Sequence, residues 1–159
     1  MIPRRARVAL LVFVIALGGC GSDATGPRDP TELVFAPSLN VDLALMTRTN
    51  SGLYYLDEVV GTGPTVQVGH TTSVHYEGWL HRGRKFDSSR DRGDPFTVSP
   101  VGHADVIAGW NEGLVGMRVG GHRLLVIPSH LAYGPNSPGA GIPRHATLVF
   151  RIEVLTTGP

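Results

Sequence analysis

The sequence predicts an α+β fold, an antiparallel sheet wrapped around one short helix. Three observations predict it. Short runs, clearest at 72–80 and 147–155, alternate apolar and polar residues with period two. A single stretch, 105–115, carries a convincing helical apolar face. Turn formers punctuate the chain, 21 Gly and 12 Pro in 159 residues, with no internal repeat and no strand–helix–strand rhythm of a parallel sheet.

The elements follow in chain order. Residues 1–8 carry Arg4, Arg5 and Arg7, and 9–17 is an apolar run ending in small residues. Basic head, short apolar middle and small end are the parts of a secretory signal peptide, placed at 1–19. The apolar run is too short for a membrane span, which takes about 20 residues. The only cysteine, Cys20, directly follows Leu17-Gly18-Gly19. That tetrad resembles the bacterial lipobox, whose cysteine sulfur receives a diacylglycerol. The resemblance implies a lipid-anchored protein of the bacterial cell envelope, on either membrane or the cell surface. A plain signal peptide with an incidental cysteine is the alternative. A lone thiol has no internal disulfide to make, and two or more acyl chains hold a protein on a bilayer stably.

Residues 21–30 have no apolar periodicity and read as a flexible tether. Residues 31–50, with Leu33, Phe35, Leu39, Val41, Leu43 and Met46, are too apolar for a pure linker. They form either an amphipathic arm lying on the domain or a contact for a partner. The lipid-anchored tether and arm thus occupy 20–50, and the folded domain 51–157. Net charge is +1, from 14 basic and 13 acidic residues. Three of the basic ones leave with the leader, and the near-neutral remainder has no electrostatic footprint for nucleic acid.

Within the domain, 52–60 is strand-like and ends at Gly61-Thr62-Gly63-Pro64. In 72–80, Thr72, Val74, Tyr76 and Leu80 share one side; Ser73, His75, Glu77 and Trp79 share the other. A turn at 80–83 leads to short strands at 84–89 and 95–99. The helix at 105–115 has Asp105 as its candidate cap and Val106, Ile107, Trp110 and Leu114 on one face. Gly109 and Gly113 weaken it by about 1 kcal/mol each relative to alanine, so it needs a sheet to lie on. The last strands are 123–128 and 147–155; in the latter Leu148, Phe150, Ile152 and Val154 face one way, Arg151 and Glu153 the other.

These residues carry a resemblance. Val-His-Tyr-Glu-Gly-Trp-Leu at 74–80, Lys-Phe-Asp-Ser-Ser-Arg-Asp-Arg at 85–92 and Pro95-Phe96 resemble the FKBP type of peptidyl-prolyl isomerase. So do Val-Ile-Ala-Gly-Trp at 106–110, Leu-Ala-Tyr-Gly at 131–134 and Ile-Pro-Arg-His-Ala-Thr-Leu-Val-Phe at 142–150. The blocks run in order from about 51 to 155. The resemblance implies five or six antiparallel strands curled over one helix, with an apolar pocket between. It implies Trp110 as the floor and Tyr76, Phe86, Phe96, Val106, Ile107, Ile142 and Phe150 as walls. The Tyr133 phenol and the Ile107 N–H would donate to substrate carbonyls. Asp87 would stand at the rim, held by Tyr76 and Arg92, its carboxylate turned toward the twisting amide. The implied activity acts on proline-containing polypeptides, here exported ones, with macrolides as candidate inhibitors. Where the family often has a longer apolar tip, residues 135–141 read Pro-Asn-Ser-Pro-Gly-Ala-Gly, and Gly141 replaces a bulky aliphatic. Substrate preference and macrolide affinity therefore do not carry over with the general activity.

The chemistry fits such a pocket. Rotating a peptide C–N bond costs about 18–20 kcal/mol because resonance is lost. X-Pro isomers differ by only about 0.5–1 kcal/mol and exchange in tens to hundreds of seconds. Ordinary turnover requires lowering that barrier by about 4–7 kcal/mol. No bond breaks, so no nucleophile, metal or cofactor is needed. The twisted amide has less charge separation than the planar one, so a dry apolar site favours it. Two further readings stand beside catalysis: a proline-peptide-binding chaperone module without turnover, and a purely structural lipoprotein. Seven histidines show no metal-ligand spacing. The acids at 87, 91 and 94 miss the calcium-loop pattern, Gly61-Thr62-Gly63 is no dinucleotide loop, and Ser88 and Ser89 lack a nucleophile-elbow setting.

Overall fold

The computed structural model describes residues 26–159; the predicted signal peptide and Cys20 lie outside the described residues. The sheet is organised on β3 (Thr71–Leu80). Along one edge β3 pairs with β7 (Leu148–Gly158), from Thr71↔Gly158 to Leu80↔Leu148. Along the other it meets two short strands laid end to end. β5 (Phe96–Val98) pairs at Thr72↔Val98 and Val74↔Phe96; β4 (Lys85–Ser88) pairs at Glu77↔Ser88 and Gly78↔Asp87. Beyond β7 come β6 (His122–Ile127), β2 (Tyr54–Val59) and β1 (Thr47–Arg48), giving the order β1-β2-β6-β7-β3-β4, all antiparallel. The sheet therefore has seven strands, not five or six. The seventh is β1, two exposed polar residues with no alternation to betray them.

A one-turn helix, α1 (Ser89–Arg92), separates β4 from β5 and takes up Ser89, which the sequence reading put in a strand. Ser88 caps it by accepting the Asp91 N–H, and Gly93 ends it at φ +79, a left-handed conformation suited to glycine. The central helix, α2 (Ala108–Gly113), is shorter than the predicted 105–115. Ile107 is its N-cap residue and makes no side-chain cap bond, so Asp105 does not cap it. Asn111 ties the helix to the preceding loop instead. Its side chain accepts from the Ala104 N–H at 3.1 Å and donates to the Ala104 carbonyl at 2.9 Å.

The glycines of α2 explain how so short a helix lies against the sheet. A Cβ on Gly109 would come within 2.5 Å of Ile127 Cγ2, and one on Gly113 within 2.8 Å of Leu125 Cδ1. What they cost in helix propensity they return as close approach. The far end is held by Arg123 on β6. Its Nη1 donates to the carbonyls of Gly113 and Val115 at 2.9 and 3.2 Å, while Nε and Nη2 grip Asp57 at 2.7 and 2.9 Å. The guanidinium thus satisfies carbonyls that a helix end leaves without partners.

The sheet is buried on both faces. On the inner face Val74, Leu125, Ile127, Leu148 and Ile152 pack with Trp110 and Leu114 of α2. On the outer face Leu124, Val126 and Val149 lie under Leu39 and Met46, with Phe35, Val41 and Leu43 packed alongside. Residues 31–46 therefore form an arm lying on the domain, the first of the two readings, and the chain then enters the sheet itself as β1, ahead of the expected domain start at 51. Its short 3-10 turns at Pro30–Glu32, Pro37–Leu39 and Leu43–Leu45 fold it onto the strands. The Ala36 N–H donates to the His81 carbonyl at 2.8 Å, and Arg151 Nη2 donates to the Leu39 carbonyl at 2.8 Å.

Candidate active site

Between α2 and the sheet is a cleft of about 260 Å³. Each element places one or two side chains around it. β3 contributes Tyr76, β4 Phe86 and Asp87, β5 Phe96 and β7 Phe150. Asp105, Val106 and Ile107 come from the loop before α2, Trp110 from α2 itself, and Tyr133 from the segment after β6. β-strand alternation puts Tyr76 and Phe150 on the inner face, and the short helix brings Trp110 up beneath them.

The aromatic rings meet edge to face around the indole. Trp110 lies 4.9 Å from Tyr76, 5.3 Å from Phe150 and 5.8 Å from Phe96, with ring planes crossing at 82–83°. Phe86 abuts Phe150 at 5.5 Å and 87°. Edge-to-face packing is the arrangement that ring quadrupoles favour. It also leaves a concavity, because flat rings set on edge do not close over one another. Trp110 is only 4 % exposed, yet it reaches the cleft, and its indole N–H has no hydrogen-bond partner. Gly78 makes room for this arrangement: a Cβ there would stand 2.7 Å from Phe150 and 2.8 Å from Phe86.

The polar groups gather at the rim. The Tyr76 hydroxyl donates to Asp87 Oδ2, Arg92 Nη1 donates to Oδ1, and Arg92 Nη2 reaches the Tyr76 oxygen at 2.8 Å. The Ser88 N–H adds a third contact to the carboxylate at 2.8 Å. This triangle fixes Asp87 as an oriented anion. Burial, with the Asp87 hydrogen bond next, raises the Tyr76 pKa, while Arg92 works against it. Tyr133 is 39 % exposed, and burial first, then the Asp87 charge, raises its pKa. Its phenol therefore stays protonated and able to donate. Among the described residues the Ile107 N–H has no acceptor. The cleft thus combines an apolar aromatic bed with two open donors and one fixed carboxylate.

Of the residues expected at the site, Asp87, Tyr133, Trp110, Ile107, Tyr76, Phe86, Phe96, Val106 and Phe150 line the cleft. Arg92 is set back from it and acts on Asp87 and Tyr76. Ile142 is not among the residues that line the cleft; like Trp110 and Phe150 it is buried in the inner core, but it does not reach the concavity. Sequence reasoning missed Asp105, taken there as a helix cap. Its position directly before the wall residues Val106 and Ile107 was the available signal. Gly141 is not a gap in a wall either. It sits at φ +73, its carbonyl accepts from Arg84 Nη2, and a Cβ would lie 2.7 Å from that guanidinium.

Comparison with known proteins agrees with this geometry. Residues 63–155 match the family model of the FKBP-type peptidyl-prolyl cis-trans isomerases. An FK506-binding protein of Neisseria meningitidis serogroup B is 48 % identical over 104 residues, 65 % of this chain and 94 % of the relative. The crystal structure of FkpA from Escherichia coli matches with a TM-score of 0.66 at 39 % identity, covering 72 % of this chain and 52 % of that one. The crystal structure of AtFKBP13 matches with a TM-score of 0.64 at 37 % identity, covering 71 % of this chain and 98 % of that one. With the sheet curled over one short helix and the aromatic cleft between them, these matches place the chain in the FKBP-type peptidyl-prolyl cis-trans isomerase family.

Proposed function

We propose that the cleft over Trp110 seats the pyrrolidine of an X-Pro segment and lets its imide bond rotate, without covalent chemistry, in exported polypeptides. The observation that carries this reading is the pairing of a bed of edge-on rings with two donors that have no partner of their own, the Tyr133 phenol and the Ile107 N–H. The rings exclude water, which stabilises the planar amide more than the twisted one. The two donors hold the flanking carbonyls out of the amide plane. The Asp87 carboxylate, fixed by Tyr76 and Arg92, faces the carbonyl carbon as conjugation is lost. Relatives bear the name FK506-binding protein, and a macrolide of that class would occupy the same cleft in competition with the peptide.

A proline-peptide isomerisation assay on residues 21–159 tests the assignment. Asp87→Val or Trp110→Leu lowers turnover about 10- to 100-fold, or about 1.4–2.7 kcal/mol of transition-state stabilisation, while circular dichroism keeps the fold. An unchanged rate in both variants removes the site assignment, and peptide binding without turnover in the unsubstituted domain would leave a chaperone module. The same proposal puts the domain in the bacterial envelope, lipid-anchored through Cys20. Metabolic labelling with a palmitate analogue tests that part: Cys20→Ser abolishes the label if it holds and leaves it unchanged if it does not.

A further inference from the structure

A second recess, of about 180 Å³, lies away from the aromatic cleft, where the arm enters beside the β3–β4 turn and the segment leading into β7. Its polar lining is basic: Arg28 from the arm, Arg82 from the turn and Arg144 before β7 carry charge, with the imidazoles of His81 and His145 between them. No carboxylate lines it. None of the three arginines pairs with a carboxylate among the described residues. The neighbouring Asp29 is already engaged by Thr31 and Arg48. A nearly neutral chain has thus brought unneutralised charge together from three separate segments, against mutual repulsion.

The second observation is a buried hydroxyl. Thr147 lines the recess and is 4 % exposed, and its Oγ1 is one of two buried side-chain polar atoms without a hydrogen-bond partner among the described residues. Such a group costs free energy unless something bonds to it. His81 reports the local field: burial lowers its pKa, and Arg82 and Arg28 lower it further. His145 is fixed at φ +56 by its N–H to the Gly134 carbonyl at 2.7 Å, so the segment carrying Arg144 is braced.

We infer that this recess binds a phosphate-class oxyanion, with Arg28, Arg82 and Arg144 supplying guanidinium forks and Thr147 the hydroxyl donor. Planar guanidinium groups match phosphate oxygens two at a time, and several converging on one small recess define a site rather than a diffuse surface charge. Leu33 and Leu80 give the recess an apolar side, which suits a phosphate borne on an organic stem as well as the free ion. Two sources share this chemistry, free phosphate and the headgroup of an anionic lipid.

The test uses the exported chain with Cys20→Ser, so that no acyl group contributes to membrane retention. Inorganic phosphate is titrated at ionic strength held constant with chloride, following the His81 ring and Thr147 amide signals by NMR. A saturable shift is expected, weakened about tenfold by Arg82→Gln combined with Arg144→Gln and more modestly by Thr147→Val. X-Pro turnover of the double variant stays at the unsubstituted level, which also reports that it is folded. Sedimentation with phosphatidylglycerol and phosphatidylcholine vesicles separates the sources. Retention on the anionic vesicles alone, lost in the double variant, assigns the headgroup. Saturation by phosphate with no retention assigns the soluble ion. Shifts that do not saturate, or saturation unaffected by the double substitution, overturn the site.

Discussion

One sheet is covered in two ways, and the two coverings leave different surfaces. On the outer face the arm lays Leu39 and Met46 over Leu124, Val126 and Val149, aliphatic on aliphatic, and the layer fills. On the inner face a six-residue helix lies over a much longer sheet. It meets Tyr76, Phe96 and Phe150 through the edge-on indole of Trp110 alone, and those rings border a cleft of about 260 Å³. Both faces bury apolar surface and both stabilise the fold. Of the two coverings, the one that is too short, and whose side chains are flat and set on edge, leaves the aromatic cleft. Stability and function are therefore separable by face.

The largest expected effect breaks the outer face alone. Leu39→Ala removes a side chain that is 2 % exposed and should cost about 2–5 kcal/mol, read as a lower urea midpoint at unchanged slope. Turnover per folded molecule should not change at a temperature where the variant is still native. A matching fall in turnover would show that the two faces are coupled. Next comes the seat of α2 on the inner face. Gly109→Ala gains helix propensity but drives a Cβ to 2.5 Å from Ile127, so a net loss of about 1–2 kcal/mol is expected. Because α2 must lift, turnover falls as well, unlike in the outer-face variant.

Smaller effects sharpen the inner face. Tyr133→Phe keeps the ring and deletes the donor. The expected cost is about 1 kcal/mol, a roughly fivefold loss of kcat/KM with an unchanged urea midpoint. Equal activity would move the donor role elsewhere. The smallest effect is in pH. The Tyr133 phenol titrates above its ordinary value of 10.0, through burial first and the Asp87 charge second. The donor is the protonated form, so turnover should stay level from neutral pH up to that value and fall only above it. Stability has the same sign. The unfolded phenol ionises at its ordinary value while the folded one holds its proton, so the contribution is full below pH 10.0 and lost as pH climbs through the folded value. An activity decline centred below pH 10 would contradict the assignment.

Legibility followed the physics of each element. β3 and β7 could be read because alternation is written into them, and one face of each lies on the inner core. The aromatic and polar site residues could be named because the blocks containing them keep the family's order and spacing. Three features were hidden. β1 is paired by register rather than by apolar pattern. α1 is a single capped turn, too short to have a period. The true start of α2 was obscured because Asp105 has the right residue type for a cap, while the cap bond is absent and Asn111 holds the loop instead. Ile142 shows a different limit: an apolar residue inside a matching block can be wall or core, and its composition does not say which.

The chain's own pattern of alternation, turn formers and one short apolar helix was enough to determine an antiparallel sheet wrapped on a helix, while Trp110, Asp87 and Tyr133 were named by the resemblance of their sequence blocks to the family. Those are local properties, set by backbone period and side-chain chemistry. What only the tertiary structure decided was contact between distant segments. The arm at 31–46 closes the outer face, Asp105 joins the cleft, Ile142 retires into the core, and cations from three segments converge around Thr147. Such contacts depend on how surfaces separated by tens of residues fit and on which polar groups burial leaves without partners, and no local pattern encodes either.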